Sequence, residues 1–261
     1  MHGFTLVQSS TIPDISAQLY VFDHDQSGAR LITLSNSDSN KAFGAAFPTP
    51  PEDNSGVAHV LEHSVLCGSR SYPTKDPFAT LLQSSHQTFL NALTYPDRTC
   101  YPVASCNGQD LYNLADVYID SLLHPKVVEE DYIIRQEGWR VQPGEAPEET
   151  STLQGVVYNE MKGVYSSADM LHYRMIGRAL NPENCYRFDS GGDPGCIPRE
   201  LNQEGLVEFY KAHYHPGRGL FWFYGDGEVG KQVEWLSGKL GEYNRPKSSL
   251  DFDNAQKYMQ L

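Results

Sequence analysis

Short segments in which apolar and polar residues alternate occupy residues 4–47 of the chain. Four such segments, rich in β-branched and aromatic residues, are separated by clusters of Pro, Gly, Asp and Ser. Alternation with a period of two is typical of β-strands that bury one face, and the polar clusters are typical of turns. We therefore predict a meander of strands at residues 5–12, 17–22, 30–34 and 42–47.

The spacing of apolar residues changes to that of helices after Pro48. A first helix is predicted to start at a cap formed by Asn54 or Ser55 and to run to Gly68, a typical helix stop. In several later segments apolar residues recur every three to four positions. These further predicted helices span residues 76–82, 110–123, 127–139, 152–164, 167–180, 202–214 and 229–243.

Three more strands are predicted among these helices, at residues 88–94, 99–104 and 220–224. The first two are joined through a Tyr-Pro-Asp turn. Taken together, the elements indicate an α/β (α+β) fold. We expect a mainly antiparallel mixed sheet of about six strands, with helices packed chiefly on one face.

The composition is that of a folded protein. The 261 residues are 39% hydrophobic and only 20% charged, and they include 16 Tyr and 11 Phe. A chain of this length buries a substantial core. Because no internal repeat or low-complexity linker is visible, we expect a single domain over residues 1–261, with residues 245–261 as a candidate linker to a following domain.

The formal net charge of −13 narrows the choice of partners. Nucleic-acid-binding proteins are typically basic, so this charge argues against that class of protein. Acidic membrane surfaces would also repel a protein of this charge. No apolar run reaches the roughly 18 residues of a membrane span. A cationic peptide is a compatible partner, although net charge also serves solubility alone.

Cysteine usage and the N-terminus bear on the compartment. Five cysteines, an odd number without a Cys-x-x-Cys pair, favour a reducing intracellular compartment. Residues 1–8 lack the basic segment and the following apolar block of a targeting peptide, so none is visible. This absence limits the location without fixing it.

The most informative segment is H-x-x-E-H, formed by His59, Glu62 and His63 on the first predicted helix. At about 100° per residue, the three side chains project within an arc of about 100°. Two imidazoles one turn apart can chelate one Zn²⁺ while the glutamate reaches the water beside it. The alternative is a helix with two histidines by chance, but two unpaired imidazoles on its apolar face would be costly to bury.

A catalytic zinc site needs a third protein ligand and an open fourth position for water. Glu137 and Glu160 are the candidates, and spacing alone does not choose between them. Glu160 is predicted to lie mid-helix among valines, where a carboxylate without a metal or cation partner would be expensive. Glu137 has Arg135 and Arg140 close by and could be a solvated salt-bridge residue. We therefore prefer Glu160.

This combination of residues indicates peptide-bond hydrolysis. Glu62 would be the general base that takes a proton from water and passes it to the leaving amine, while the metal polarises the scissile carbonyl. Cys67 is the cysteine nearest to the motif. A thiol at the C-terminal end of a helix has a raised pKa, so we expect Cys67 to be a small buried hydrophobic residue rather than a nucleophile.

H-x-x-E-H is the signature of the inverzincins, and the chain resembles the pitrilysin family of zinc metallopeptidases, in its presequence protease and falcilysin branch. The resemblance extends over most of the chain. Its blocks are residues 59–70 (HVLEHSVLCGSR), 88–99 (TFLNALTYPDRT), 136–139 (QEGW), 155–165 (GVVYNEMKGVY) and 190–194 (SGGDP). The resemblance covers only the N-terminal, zinc-bearing domain of a family whose members are two halves, each of two similar domains, that close around a peptide.

The resemblance implies specific roles for residues of the motif. His59, His63 and Glu160 would bind one Zn²⁺ per chain, and Glu62 would be the general base. This agrees with the preference for Glu160 over Glu137 that burial suggested.

The resemblance also implies an edge strand that pairs with an extended substrate. Its residues would be Asn91, Ala92, Leu93 and Thr94. Side chains alternate along this segment as in a strand, and a strand with one free edge can add a peptide. The alternative is an ordinary internal strand.

Substrates and location follow from the same resemblance. It implies unstructured peptides such as cleaved targeting presequences, which are Arg-rich and poor in acidic residues and so suit the charge of −13. It implies the mitochondrial matrix or plastid stroma as the location, or the cytoplasm if the source is bacterial. No nucleic acid and no membrane is expected as a partner.

Two departures from the family pattern leave alternatives open. Many members have an acidic residue seven positions before the third ligand, where this chain has Leu153. The chain also lacks the C-terminal half of the family, so the alternative is a truncated zinc- and peptide-binding module without turnover. A non-catalytic core subunit, like those of respiratory complexes that resemble processing peptidases, has no reason to retain the four motif residues and is disfavoured.

Overall fold

The fold is described from a computed structural model, which covers residues 1–144 and 150–247. Its strands are β1 (Phe4–Ile12), β2 (Ala17–His24), β3 (Arg30–Ser35), β4 (Lys41–Pro48), β5 (Gln87–Leu90), β6 (Leu93–Thr94), β7 (Arg98–Ser105), β8 (Arg140–Gln142), β9 (Thr152–Gln154) and β10 (Leu220–Gly225). Its α-helices are α1 (Val57–Val65), α2 (Pro77–Ser84), α3 (Gly108–Leu123), α4 (Asp131–Glu137), α5 (Val156–Val164), α6 (Ala168–Leu180), α7 (Ile197–Glu200), α8 (Gln203–His213) and α9 (Val229–Leu240).

One mixed sheet of eight strands organises the molecule. Its order is β1-β2-β3-β10-β4-β7-β5, and β6 also pairs with β7. Every pair in this sheet is antiparallel except β3 and β10, which are parallel. The prediction of a mainly antiparallel mixed sheet is therefore confirmed, although the sheet has more strands than the six expected. β8 and β9 form a separate two-stranded sheet.

The central strands β3, β4 and β10 explain where the core lies. Apart from Ser35 and Lys41 at strand ends, the side chains that point to one face of these strands are buried, whereas on β3 and β10 those that point to the other face are only partly covered. The buried face carries Leu31, Phe43, Phe47, Phe221 and Phe223, which belong to one continuous hydrophobic core with residues of α1, α3, α5, α8 and α9. This alternation buries one face of the sheet beneath helices.

Two elements differ from the sequence-based expectation near the candidate site. The strand expected at residues 88–94 is broken between β5 and β6, because the side chain of Asn91 accepts the N–H of Ala92 and the Asn91 carbonyl accepts the hydroxyl of Tyr118. The helix expected at residues 152–164 begins only at Val156. Its first residues instead form β9, since they pair with β8.

The first helix also begins and ends differently from the prediction. Its N-cap is Gly56, with φ of +69°, rather than Asn54 or Ser55, and α1 ends at Val65 before Gly68. A Cβ atom at Gly56 would lie 2.7 Å from the carbonyl oxygen of Gly191. Glycine is required there because another loop approaches the start of α1 closely, in a conformation that other residues avoid.

Smaller differences do not affect the site. The helix expected at residues 127–139 is split into a 3₁₀ turn at Lys126–Val128 and α4. The candidate linker at residues 245–261 lies mostly outside the described residues and, like the single domain over residues 1–261, stays a prediction. In the part of the chain that is described, no helix is both long and apolar enough to cross a membrane.

Candidate metal centre

The structure brings together three side chains that the sequence predicts as metal ligands. His59 and His63 lie one turn apart on α1, and Glu160 lies on α5. One ligand atom from each can be chosen so that all three lie within 4.8 Å of one another. The Nε2 atom of His59 is 3.7 Å from Oε1 of Glu160, and the Nε2 atom of His63 is 3.9 Å from its Oε2.

The two imidazoles are oriented by contacts at their other nitrogen atoms. Nδ1 of His59 lies 3.1 Å from the carbonyl oxygen of Gly191, and Nδ1 of His63 lies 3.3 Å from Oε2 of Glu137. Both partners are pure acceptors, so each Nδ1 carries the proton and donates it. In the neutral tautomer this leaves the lone pair of each Nε2 directed to the space shared with Glu160.

This donor set fits a zinc ion. Two histidines and one glutamate are the ligands of a well-known class of catalytic zinc sites. Zn–N and Zn–O bonds of about 2.0–2.2 Å in tetrahedral geometry place ligand atoms roughly 3.3 Å apart. The observed separations of 3.7 and 3.9 Å are wider than this and reach different oxygen atoms of Glu160. Histidine ligands whose second nitrogen bonds to a carbonyl or a carboxylate are the usual arrangement around such an ion.

Glu62 lies beside this group and does not belong to it. Its side chain is on the same face of α1, and the residue is only 7% exposed. The hydroxyl of Thr94 donates a hydrogen bond of 2.5 Å to Oε2 of Glu62. A buried carboxylate fixed by one hydroxyl keeps its other oxygen available to receive a proton.

The burial argument that favoured Glu160 is wrong, although the geometry favours the same residue. The side chain of Glu160 is 49% exposed, whereas Glu137 is only 7% exposed. The alternative of a solvated salt bridge between Glu137 and a neighbouring arginine does not hold for Arg135, which pairs with Asp131, and Glu137 bonds to His63. Helix α4 points Glu137 inward because its apolar residues Ile133 and Ile134 anchor the same turn.

The contact between His63 and Glu137 shifts both pKa values toward the ionised forms. Burial by itself would lower the pKa of His63, but the hydrogen bond to Glu137 and the negative charges around it outweigh burial and raise that pKa. Burial by itself would raise the pKa of Glu137, but hydrogen bonds from His63 and Gln136 lower it. Glu137 therefore remains a carboxylate that can hold the ring of His63.

Cys67 lies next to this pair and is not placed to act as a nucleophile. Its Sγ is 3.5 Å from the carbonyl oxygen of His63, to which the thiol donates. Burial and the nearby charge of Glu137 raise the pKa of this thiol well above its usual value. The expectation of an unreactive Cys67 therefore agrees with its surroundings, although the residue is only partly buried.

The predicted substrate segment occupies the edge of the sheet next to Glu62. Asn91 and Ala92 lie between β5 and β6, whereas Leu93 and Thr94 form β6. The Asn91 N–H donates to the carbonyl of Pro102 on β7, so the break in the strand is local. Sequence reasoning missed that Thr94 contacts Glu62, because a hydroxyl in a strand gives no signal of its partner.

Sequence reasoning predicted a loop at residues 191–195 but missed its contact with His59. The segment from Asp189 to Asp193 contacts both His59 and the chain before α1. Its only signal in the sequence is the SGGDP block, which the family resemblance includes. The position of the loop depends on contacts between residues more than 130 positions apart, which local patterns do not encode.

Comparison with known proteins relates part of this chain to a peptidase family. Residues 49–151 match the family model described as Insulinase (Peptidase family M16). The chain is 48% identical, over 94% of its length, to "Presequence protease 1, chloroplastic/mitochondrial" of Arabidopsis thaliana, of which it covers 23%. It is 47% identical, over 90% of its length, to "Protein HypA" of Clostridium perfringens, of which it covers 24%.

A solved structure gives the same fold. The crystal structure of pitrilysin matches 95% of this chain with a TM-score of 0.67 and 19% identity, and 25% of the pitrilysin chain is covered. The chain thus spans about a quarter of the length of these relatives. The sequence resemblance, the fold and the matched segment agree: residues 49–151 match peptidase family M16, and the chain is homologous to part of the presequence proteases.

Proposed function

We propose that this chain is the zinc-bearing part of a metalloendopeptidase that hydrolyses unstructured peptides, such as cleaved targeting presequences. The observation that carries the proposal is the group of His59, His63 and Glu160, with Glu62 next to it on the same helix face. The peptidase family match and the names of the relatives support the same reaction class.

The proposed roles follow from the contacts of each residue. His59, His63 and Glu160 would hold one zinc ion, which supplies Lewis-acid chemistry by polarising a carbonyl and acidifying water. Glu62 would accept a proton from the attacking water and pass it to the amine that leaves. Its hydrogen bond from Thr94 keeps the carboxylate in one orientation during both transfers.

The edge formed by β6 is the proposed binding site for an extended substrate. The N–H groups of Asn91 and Tyr95 bond to β7, so the backbone groups of Ala92 and Thr94 point away from it. Among the residues that the structure describes, β6 pairs only with β7. The Ala92 N–H already bonds to the side chain of Asn91. A peptide would therefore use the carbonyl of Ala92 and both backbone groups of Thr94.

The substrates are proposed to be basic, unstructured peptides. A protein with a net charge of −13 attracts peptides that carry positive charges along their length. The names of the relatives fit this class, since presequences are rich in arginine and poor in acidic residues. We further propose that the protein acts in the mitochondrial matrix or plastid stroma, or in the cytoplasm if its source is bacterial, because both kinds of relatives occur.

Metal dependence and the loss of Glu62 test this function together. We expect the purified protein to contain zinc and to cleave a basic presequence-like peptide, and we expect a chelator to abolish and added Zn²⁺ to restore cleavage. Glu62→Gln should keep zinc and lose about 10²–10⁴-fold in kcat, which is the usual contribution of a general base. Glu204→Gln, an exposed glutamate on α8, is the control and should leave kcat unchanged.

Two results would contradict the proposal. A protein without zinc affinity, or with cleavage that a chelator does not affect, would exclude the metallopeptidase. A protein that binds zinc and peptide but does not cleave the peptide, so that Glu62→Gln has no activity to remove, would be the zinc- and peptide-binding module instead.

A further inference from the structure

The loop around Gly191 is fixed against the start of α1. The N–H of Asp189 donates to the side-chain oxygen of Asn54 at 2.9 Å, and the N–H of Asp193 donates to the Asn54 carbonyl at 2.9 Å. Gly56 approaches the same loop so closely that a Cβ there would lie 2.7 Å from the Gly191 oxygen. The loop and the start of α1 therefore form one packed unit.

Both backbone polar groups of Gly191, its carbonyl and its N–H, contact a side chain. Its carbonyl oxygen lies 3.1 Å from Nδ1 of His59, and its N–H donates to Oδ1 of Asp189 at 3.0 Å. The second contact closes a short turn from Asp189 to Gly191, which is typical of aspartate side chains that bond to the backbone two residues on. The Gly192 N–H, which shares a peptide group with the Gly191 carbonyl, donates to the Asp189 carbonyl at 3.0 Å. The carboxylate of Asp189 is therefore one of two contacts from this residue that set the direction of the Gly191 carbonyl.

The carboxylate of Asp189 is in turn tied to the elements that follow Glu160. Its Oδ2 accepts the hydroxyl of Tyr165, the residue after α5, at 2.8 Å. The same oxygen forms an ion pair with Arg174 of α6, whose guanidinium lies 5.0 Å above the ring of Tyr165. The side chain of Asp189 is only 10% exposed, so these contacts are largely shielded from water.

From this geometry we infer that Asp189 is a positioning residue for His59, which it orients through the carbonyl of Gly191. The inference rests on the proposed zinc function and adds a residue to it. Without the Asp189 carboxylate, the Gly191 N–H loses its acceptor and only the bond from the Gly192 N–H still closes the turn, so the carbonyl that accepts the Nδ1–H of His59 is held less firmly. The imidazole then rotates more freely and presents Nε2 to the metal less often.

The role of Asp189 is distinct from simple support of the loop. Asp193 lies in the same loop, and its Oδ1 accepts the N–H of Gly195, four residues beyond Gly191 in the chain, at 2.7 Å. Removing either carboxylate loosens a turn of the same loop. Only the removal of Asp189 is expected to disturb His59, so Asp193→Ala is a matched control.

The experiment compares zinc affinity in the wild-type chain, Asp189→Ala and Asp193→Ala. Affinity is measured by competition with a chromophoric chelator, and the Nδ1–H of His59 is followed by ¹⁵N-edited NMR in the zinc-loaded protein. We expect about a tenfold loss of affinity in Asp189→Ala, as is usual when an outer contact of a ligand is removed. Its His59 Nδ1–H signal should broaden by exchange with water, and Asp193→Ala should match the wild type in both measurements.

Each other outcome bears on a specific claim. The inference is overturned if Asp189→Ala binds zinc as tightly as the wild type, or if Asp193→Ala loses as much zinc affinity as Asp189→Ala. In both cases the wild type still binds zinc, so the proposed function is left intact. A wild type that does not bind zinc overturns the proposed function itself.

A further variant covers a failure of Asp189→Ala to fold. Tyr165→Phe removes only the hydroxyl that donates to Asp189. A shifted His59 Nδ1–H signal in this variant supports the inference, and an unchanged signal overturns it.

Discussion

The two histidines of α1 are held by different kinds of acceptor. His59 bonds to a backbone carbonyl, whereas His63 bonds to the carboxylate of Glu137. A carboxylate makes an imidazole a stronger donor to a metal than a carbonyl does, because it stabilises positive charge on the ring. The Glu137 carboxylate therefore acts on His63 through its negative charge as well as through the hydrogen bond, whereas the carbonyl that contacts His59 carries no charge.

Replacing Glu137 tests this contribution of charge. Glu137→Gln keeps an acceptor for the Nδ1–H of His63 but removes the negative charge. We expect zinc affinity to fall about tenfold, since that is the usual effect of losing such a contact. Glu129→Gln, an exposed residue just before α4, serves as the control. Equal zinc affinity in Glu137→Gln and Glu129→Gln would show that Glu137 has only a packing role.

At the scale of elements, periodicity predicted most helices and strands, and the deviations have local causes. α3, α6, α8 and α9 lie where the apolar spacing places them. The strand at residues 88–94 is interrupted because Asn91 bonds to the N–H of Ala92, which no pattern of apolar residues reveals. The hairpin of β8 and β9 was missed because it is short and mostly exposed.

The contact between β4 and β10 gives a prediction for stability. A Cβ at Gly44 of β4 would lie 2.0 Å from the ring of Trp222 on β10. Gly44→Ala should therefore lower the free energy of unfolding by about 3 kcal/mol, as overpacking does. Gly177→Ala in α6 is the control, since nothing lies within 4 Å of its Cβ and a helical alanine should raise that free energy by about 0.5–1 kcal/mol.

Urea unfolding of both variants measures these changes. An unchanged unfolding midpoint in Gly44→Ala would mean that Trp222 moves aside at little cost. Equal destabilisation by both substitutions would mean that alanine is poorly tolerated for a reason other than the contact with Trp222.

At the scale of the molecule, a group of acidic side chains lies close to the start of α1. Acidic side chains line a groove of about 340 Å³ between the segment before α1 and helix α8. They are Glu52, Asp53, Glu200 and Glu208. Charges of one sign in a groove raise the local concentration of oppositely charged peptides, and salt weakens this effect over a Debye length of about 10 Å at 0.1 M.

This charge predicts how salt affects catalysis. For a basic peptide, we expect KM to rise about three- to tenfold between 0.05 and 0.5 M NaCl with little change in kcat, because electrostatic attraction mainly assists encounter. The control is the same peptide with citrulline in place of arginine, whose KM should change little. An equal salt dependence for both peptides would mean that the charge of −13 serves solubility only.

By itself, the sequence determined the features that arise from neighbours along the chain. The spacing of His59, Glu62 and His63 places them on one helix face, and the alternation of apolar residues defines the strands of the sheet. These features follow from the fixed geometry of a helical turn and of an extended strand. They were sufficient to predict the α/β class and the metal motif.

Only the tertiary structure decided which distant residues complete the site. Glu137 lies 74 positions from His63, and Gly191 lies 132 positions from His59, so no local periodicity relates them. The choice between Glu137 and Glu160 depended on which carboxylate faces the Nε2 atoms of the two histidines and which faces Nδ1 of His63. Packing of α4, α5 and the Gly191 loop around α1 fixes that difference, because ring orientation is set by contacts at both imidazole nitrogens.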